Sequence, residues 1–260
     1  MYLSEKLIFL ELQKTGGSHV RKLLADLDLG GFFTDMHDRL DEVGEVKKLL
    51  EKDPLIVGNV RNPFSWYVSL WAYGCMGEGE IYYRTSTWWW RYILSDLRAL
   101  TTPRKRWKYL YGDVNDPERF REWLGMILYS DFKINIGEDY GDSELSRGIG
   151  FFTYRYFQLF SRKNRKRWID LADAKVYIER SEKEFLPKAI LRMENLTEDL
   201  IRVLGDNGFD ISEEIKAKWR SMPRTNTSKH RPFEEYYDEP SRALVRKKDG
   251  YILKKYYPGS

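Results

Sequence analysis

Two short apolar runs near the start of the chain have the pattern of buried parallel strands. Residues 7–12 are mostly apolar and lead into a glycine turn, and residues 54–60 are apolar up to Arg61. Continuous apolar runs of this length are typical of strands that are covered on both faces. We therefore predict that both runs belong to one buried, largely parallel sheet.

Helical periodicity follows each of these two strands. Val20, Leu23, Leu24 and Leu27 recur after the glycine turn at the spacing of one helical face. Pro63, which suits a first helical turn, opens a second apolar helix after the second strand. Strand, glycine turn and helix form the βα unit of a nucleotide-binding sheet.

The remaining pattern predicts more strands and a helical, aromatic region. We predict strands at residues 31–34, 175–178 and 189–193, the last leading into a helix over about 197–204. Residues from about 76 to 185 are helical in pattern and rich in aromatic side chains, which favours packing of helices on the sheet or, alternatively, one wall of an acceptor cleft. These aromatic residues include Trp88, Trp89, Trp90, Trp107, Trp123, Phe151 and Phe152.

Together these elements predict one α/β domain over residues 1–260. Its core is a central parallel sheet of about five strands flanked by helices, with a helical insertion at about 76–185 on the acceptor side. No internal repeat or low-complexity linker marks a boundary.

Composition and charge narrow the classes of partner. The 260 residues are 42% hydrophobic and 32% charged, with 44 basic and 40 acidic side chains and a net charge of +4, so the chain is globular and lacks the basic excess of a nucleic-acid-binding protein. Any anion site must therefore be local. The basic runs at residues 104–108 and 162–167 are either solvated faces or a docking surface for an anionic acceptor.

Cysteine content and hydropathy bear on the compartment. Cys75 is the single cysteine, which excludes an internal disulfide and favours a buried apolar role over a nucleophilic one. No signal peptide, membrane span or credible set of metal ligands is visible, so we expect a cytoplasmic protein without a metal requirement. The oligomeric state stays open.

The glycine turn is a candidate anion site. A βα glycine turn exposes backbone N–H groups beside the positive end of the helix dipole, which is what phosphate or sulfate binding requires. Lys14 adds a full charge, and the Thr15 and Ser18 hydroxyls add donors around Gly16 and Gly17. In the Walker A loop the lysine follows the glycines, whereas here it precedes them, which disfavours an ordinary ATPase or kinase.

The sequence resembles one enzyme family at several ordered positions. Residues 13–18, Gln-Lys-Thr-Gly-Gly-Ser, are similar to the 5′-phosphosulfate loop of sulfotransferases that use 3′-phosphoadenosine 5′-phosphosulfate (PAPS), especially carbohydrate O-sulfotransferases of the heparan 6-O type. Residues 60–63 with Ser69 resemble the family's 3′-phosphate motif, and residues 192–196 its late strand end. Residues 226–231 and 236–238 resemble its C-terminal loop and final helix.

The resemblance implies a P-loop-like sulfotransferase fold and transfer of a sulfuryl group from PAPS to a hydroxyl of a small-molecule or glycan acceptor. Adenosine 3′,5′-bisphosphate is the implied product, and no metal is implied. Lys14 would stabilise the leaving phosphate, Arg61 and Ser69 would hold the 3′-phosphate, and Lys229 with Arg231 would close over it.

During transfer, a base must remove the proton from the hydroxyl group of the acceptor. We expect this base to be a histidine, since imidazole titrates near neutrality. His37 follows the strand predicted at residues 31–34, a position similar to that of the family's catalytic histidine, and is our first candidate. His19 could instead orient the anion, His230 lies in the basic C-terminal loop, and Glu11 and Asp35 are carboxylate alternatives.

Two other functions remain open from the sequence. A nucleotide or small-molecule kinase of related fold would bind Mg-ATP. A non-catalytic protein would bind the bisphosphate nucleotide and transfer nothing.

Overall fold

The computed structural model describes residues 1–34, 40, 46–87, 102–162, 173–223 and 230–259. The strands are β1 (Tyr2–Leu3), β2 (Leu7–Leu10), β3 (Phe32–Phe33), β4 (Leu55–Val60) and β5 (Ala189–Arg192). The helices are α1 (Gly17–Leu24), α2 (Val46–Leu50), α3 (Pro63–Cys75), α4 (Glu80–Ser86), α5 (Arg104–Leu110), α6 (Pro117–Leu128), α7 (Leu145–Gly148), α8 (Phe151–Phe160), α9 (Ala174–Lys183), α10 (Leu196–Asp206), α11 (Glu213–Ser221) and α12 (Glu239–Tyr256). Short 3₁₀ segments lie at Asp131–Ile136, Met193–Asn195 and Phe233–Tyr236.

The five strands form one mixed sheet in the order β3-β1-β2-β4-β5. β2, β4 and β5 are parallel neighbours, whereas β1 pairs antiparallel with both β2 and β3. The prediction of an all-parallel sheet is therefore wrong at this side. The turn between β1 and β2 spans only residues 4–6, too few for a parallel crossover, so these strands pair as a hairpin.

Four of the five predicted strands are present, including that at 31–34, which forms β3, and one is wrong. The apolar runs at 7–12 and 54–60 form β2 and β4, and the run at 189–193 forms β5. The strand expected at 175–178 is wrong, because this segment lies in α9. The Asp173 carboxylate accepts hydrogen bonds from Lys175 N (2.7 Å) and Val176 N (3.3 Å) and so starts a helix there.

Helix α3 begins where the sequence predicts it. Asn62 Oδ1 accepts a hydrogen bond from Phe64 N at 2.9 Å, and Pro63 occupies the first helical position. A side-chain cap followed by proline satisfies the start of the helix locally. The helix therefore follows directly from the end of β4.

The chain divides into two compact units, each built from three segments. The first comprises Met1–Arg61, Arg155–Lys163 and Ser181–Thr227, and the second Asn62–Tyr154, Asn164–Arg180 and Ser228–Ser260. The whole sheet belongs to the first unit, and α3 to α7 and α12 belong to the second. A single domain over residues 1–260 stays a prediction.

In the first unit, the core lies between the sheet and helices α1, α10 and α11. The predicted face of α1 is buried through Val20, Leu23 and Leu24, while Leu27 lies beyond the end of the helix and is partly buried. The cluster also contains Leu7, Phe9, Val57, Leu191, Leu200, Leu204 and Trp219. This packing fixes α1, and hence the turn that precedes it, against the sheet.

In the second unit, the core is strongly aromatic. Trp107 and Trp123 are fully buried, as are Phe151 and Phe152, which confirms the predicted core role for these four. Trp123 Nε1 donates to the Tyr111 hydroxyl at 2.7 Å, so the indole keeps a polar partner inside the core. Trp88, Trp89 and Trp90 lie outside the described residues.

Cys75 lies half-buried at the end of α3. Burial, with the nearby Asp113 carboxylate, raises the pKa of its thiol to about 12. The thiol is therefore protonated at neutral pH, which agrees with a packing role rather than a nucleophilic one. In the described part of the chain, no helix has both the length and the apolar content needed to cross a membrane.

Candidate anion-binding site

The turn that joins β2 to α1 has two residues in the left-handed region. Lys14 has φ 62° and Gly16, the residue before the first residue of α1, has φ 86°. For lysine this conformation costs about 1–2 kcal/mol, so surrounding contacts must hold it. The strained residue is the one that the sequence assigns to the leaving phosphate.

The two glycines of the turn pack closely against protein side chains. A Cβ at Gly16 would collide with Leu196, and a Cβ at Gly17 would collide with Glu11. The sequence explained these glycines by the approach of an anion to the backbone. The structure adds a second reason, because the turn is sandwiched between the end of β2 and the start of α10.

Asn59 in β4 supports the turn from inside the sheet. Its Oδ1 accepts from Leu12 N at 3.0 Å and its Nδ2 donates to Thr15 O at 3.1 Å. The Thr15 hydroxyl is fully buried and donates to Leu12 O at 2.6 Å, so its proton serves the turn itself rather than an anion, unlike the role that the sequence predicts for it. Ser18 is half-buried in the first turn of α1.

The start of α1 supplies backbone donors. His19 N and Val20 N both donate to Gly16 O, at 3.0 and 3.3 Å. The N–H groups that precede them belong to the first turn, where a helix has no acceptor of its own to offer. With the helix dipole, they make this end of α1 attractive to a negative group.

Lys14 and Arg61 bring two cations to the same turn. Arg61 Nη1 donates to Lys14 O at 3.2 Å, so the loops after β2 and β4 meet at one edge of the sheet. Burial, and secondarily the Arg61 charge, lower the pKa of the Lys14 ammonium to about 8. An anion placed between such groups relieves their repulsion and restores the lysine's affinity for its proton.

His19 contacts α10. It is only 6% exposed, and its Nε2 lies 3.1 Å from Thr197 Oγ1. The segment at residues 192–196, singled out by its sequence, thus leads into the helix that packs under the turn. Arg192 itself is exposed, and its Nε lies 3.6 Å from the Asp199 carboxylate.

Glu11, one of the candidate bases, is 2% exposed beside Gly17. Its carboxylate lies 3.4 Å from Arg21 Nη1. Arg21 also donates twice to Thr34 O, at 3.2 Å, and stacks over Phe33. The Glu11 carboxylate therefore has a structural task, since it holds Arg21, and Arg21 ties α1 to Thr34 at the end of β3.

The other predicted site residues belong to the second unit or lie outside the described residues. Ser69 is buried in α3, in the second unit. Arg231, also in the second unit, is exposed, with Nη1 3.8 Å from Glu235, and His230 Nδ1 lies 2.6 Å from Arg231 O. His37, Asp35 and Lys229 lie outside the described residues.

The basic runs are only partly described. In α5, Arg104 is buried with its Nε donating to Thr87 O at 2.8 Å, and Arg106 pairs with Glu122 at 2.8 Å. Lys105 and Lys108 are exposed. Of the run at 162–167, the structure describes the exposed Arg162 alone.

Sequence reasoning missed Asn59, which bonds the turn, and it missed Arg21 and Thr197, which contact Glu11 and His19 beside the turn. One signal was present, because an asparagine inside an otherwise apolar strand needs buried hydrogen-bond partners. The fold and site define an α/β protein with a cationic βα turn. Compared with models of protein families, with curated proteins and with solved structures, the chain finds no match.

Proposed function

We propose that this chain is a sulfotransferase, which moves a sulfuryl group from PAPS to an acceptor hydroxyl and releases adenosine 3′,5′-bisphosphate. The contact between Arg61 and the Lys14 carbonyl carries the proposal. This contact supports the interpretation that two anion-binding segments, one after β2 and one after β4, bind a single ligand with two phosphate groups. The order of lysine before the glycines supports it further, since it differs from Walker A.

The residues present fit the donor nucleotide. The first-turn N–H groups of α1 would hold the 5′-phosphosulfate, and Arg61 would pair with the 3′-phosphate in the fork geometry that guanidinium offers. Ser69, Lys229 and Arg231 remain proposed contacts to the same phosphate. No metal is needed in this proposal, since the charges come from side chains.

In the transfer, the acceptor oxygen forms a bond to sulfur while the bond from sulfur to the bridging phosphate oxygen breaks. The hydroxyl proton passes to a base, and the electron pair of the broken bond stays on the phosphate. Lys14 would stabilise that charge. His37 is the proposed base, by the resemblance and because imidazole titrates near neutrality. The burial of the Glu11 carboxylate and its pairing with Arg21 disfavour Glu11 as the alternative. We propose a carbohydrate acceptor.

Calorimetry with adenosine 3′,5′-bisphosphate in EDTA tests the donor site. We expect binding without metal, and about tenfold to hundredfold weaker binding for Arg61→Ala, since a charge-assisted hydrogen bond is lost. Arg202→Ala, an exposed arginine of α10 paired with Asp206 at 3.6 Å, is the matched control.

Absence of binding at millimolar nucleotide would contradict the proposal, and binding of Mg-ATP in its place would favour a kinase. Unchanged affinity of Arg61→Ala would remove Arg61 from the site. Transfer from PAPS to a panel of glycans separates an enzyme from a non-catalytic binder. There, Lys14→Ala should lower turnover far more than nucleotide affinity.

A further inference from the structure

Asn59 is a polar side chain in a strand whose residues are all buried. It lies in β4 between Gly58 and Val60 and is 0% exposed. Burying an amide in a central strand is unfavourable unless both its oxygen and its nitrogen find partners. Packing alone therefore does not explain why an asparagine occupies this position.

The reason lies in the two bonds that its amide makes. The oxygen accepts from Leu12 N, and the nitrogen donates to Thr15 O, at 3.0 and 3.1 Å. One side chain thus spans both ends of the segment that holds Lys14 at φ 62°. An ionised aspartate offers only acceptors, and a leucine offers neither a donor nor an acceptor.

Arg61, two residues further along the same chain, adds the third contact. The Arg61 guanidinium donates to Lys14 O. Residues 59 and 61 together thus hydrogen-bond to three of the four residues from Leu12 to Thr15. A loop fixed before the ligand arrives loses less conformational entropy on binding. These three hydrogen bonds therefore fix the direction in which Lys14 and the following backbone N–H groups face an anion.

We infer that Asn59 is a positioning residue, which sets the nucleotide affinity of the turn by fixing its shape. The inference rests on the proposed function for the identity of the ligand, but the fixing of the turn can be measured without any ligand. Asn59 would touch neither the nucleotide nor the acceptor.

Two variants and one control test this. Asn59→Leu removes both bonds at similar volume, and Asn59→Asp keeps the acceptor for Leu12 N while removing the donor to Thr15 O. Val203→Ala, in α10 and part of the core of the same unit, destabilises without touching the turn. Amide hydrogen exchange at Leu12 and the Kd for adenosine 3′,5′-bisphosphate are measured on the wild type and on these three variants.

We expect Leu12 exchange to rise about tenfold or more in Asn59→Leu relative to Val203→Ala, and to stay slow in Asn59→Asp. Both Asn59 variants should raise the Kd about tenfold or more, whereas Val203→Ala should leave it unchanged. If Asn59→Leu does not fold, the affinity of Asn59→Asp against Val203→Ala decides.

Unchanged Leu12 exchange in Asn59→Leu overturns the inference, and so does an unchanged Kd in both variants when the wild type binds. If the wild type binds no bisphosphate, the proposed function fails, and Leu12 exchange alone decides whether Asn59 fixes the turn. The two failures are therefore distinguishable.

Discussion

At the scale of single residues, Lys14 has an ammonium group whose proton is loosely held. Burial and the nearby Arg61 lower its pKa to about 8, close to neutrality for a lysine. An anion favours the protonated form, so binding raises this pKa again. Below about pH 8 the lysine is already charged, and above it binding must be accompanied by proton uptake.

We therefore expect the affinity for adenosine 3′,5′-bisphosphate to fall as pH rises through about 8, approaching about tenfold per pH unit above it. Calorimetry at about pH 7 to 9.5 in two buffers of different ionisation enthalpy measures both the affinity and the proton uptake. Lys14→Met should flatten the profile, and Lys22→Met, an exposed lysine of α1, should keep it. Binding at about pH 9 without proton uptake would contradict this role of Lys14.

At the scale of elements, the start of α1 depends on the absence of a side chain at position 17. In Gly17→Ala the new methyl group meets Glu11, and we expect a loss of about 1–3 kcal/mol in the free energy of unfolding together with weaker nucleotide binding. Gly205→Ala, within α10 and facing open space, should instead gain about 0.5–1 kcal/mol. Urea unfolding measures the stability of both variants. If Gly17→Ala is as stable as Gly205→Ala, the Glu11 side chain moves aside for the new methyl group without loss of stability.

Helix α12 depends on a buried carboxylate. Asp249 departs from helical geometry, with φ −114° and ψ 23°, and burial raises its pKa. Its carboxylate accepts from the Tyr67 hydroxyl at 2.7 Å, and from Thr153 N and Oγ1 at 2.9 and 2.7 Å. One side chain thus joins α12 to α3 and α8 within the second unit.

Asp249→Ala leaves these donors buried without their acceptor, and we expect it to lower the free energy of unfolding by about 3 kcal/mol. Glu239→Ala, an exposed residue at the start of the same helix, should change it by less than about 1 kcal/mol. Chemical denaturation followed by tryptophan fluorescence makes the comparison. A small effect of Asp249→Ala would mean that the three donors find other acceptors.

At the scale of the whole molecule, most predictions from local signals succeeded, whereas the direction in which the strands pair was not fully predicted. The apolar runs of β2 and β4 and the proline start of α3 are readable because each signal lies within a few residues. β1, two residues long, and the antiparallel side of the sheet are set by pairing that no local period encodes. At 175–178 a short, mostly apolar run was misleading, and the helix cap at Asp173 carried the stronger signal.

The candidate site divides in the same way. The sequence of the turn predicted Lys14 and the glycines, and the strand end predicted Arg61. The supporting contacts were not predicted, because Asn59 and Thr197 come from β4 and α10, far from the turn in sequence, and Glu11 shows its structural role only by packing against Gly17. Their residue types acquire meaning only once the sheet brings these elements together.

The pairing of β4 with β5, which joins Val57 to Ala189, has a consequence for synthesis. At about 5–20 residues per second, β5 follows β4 out of the ribosome after roughly 6 to 26 seconds. For that interval the edge of β4 that β5 will cover is open to other strands and to chaperones. Leu196, against which Gly16 packs, is made later still. A nascent chain thus acquires its finished turn only after most of it has been translated.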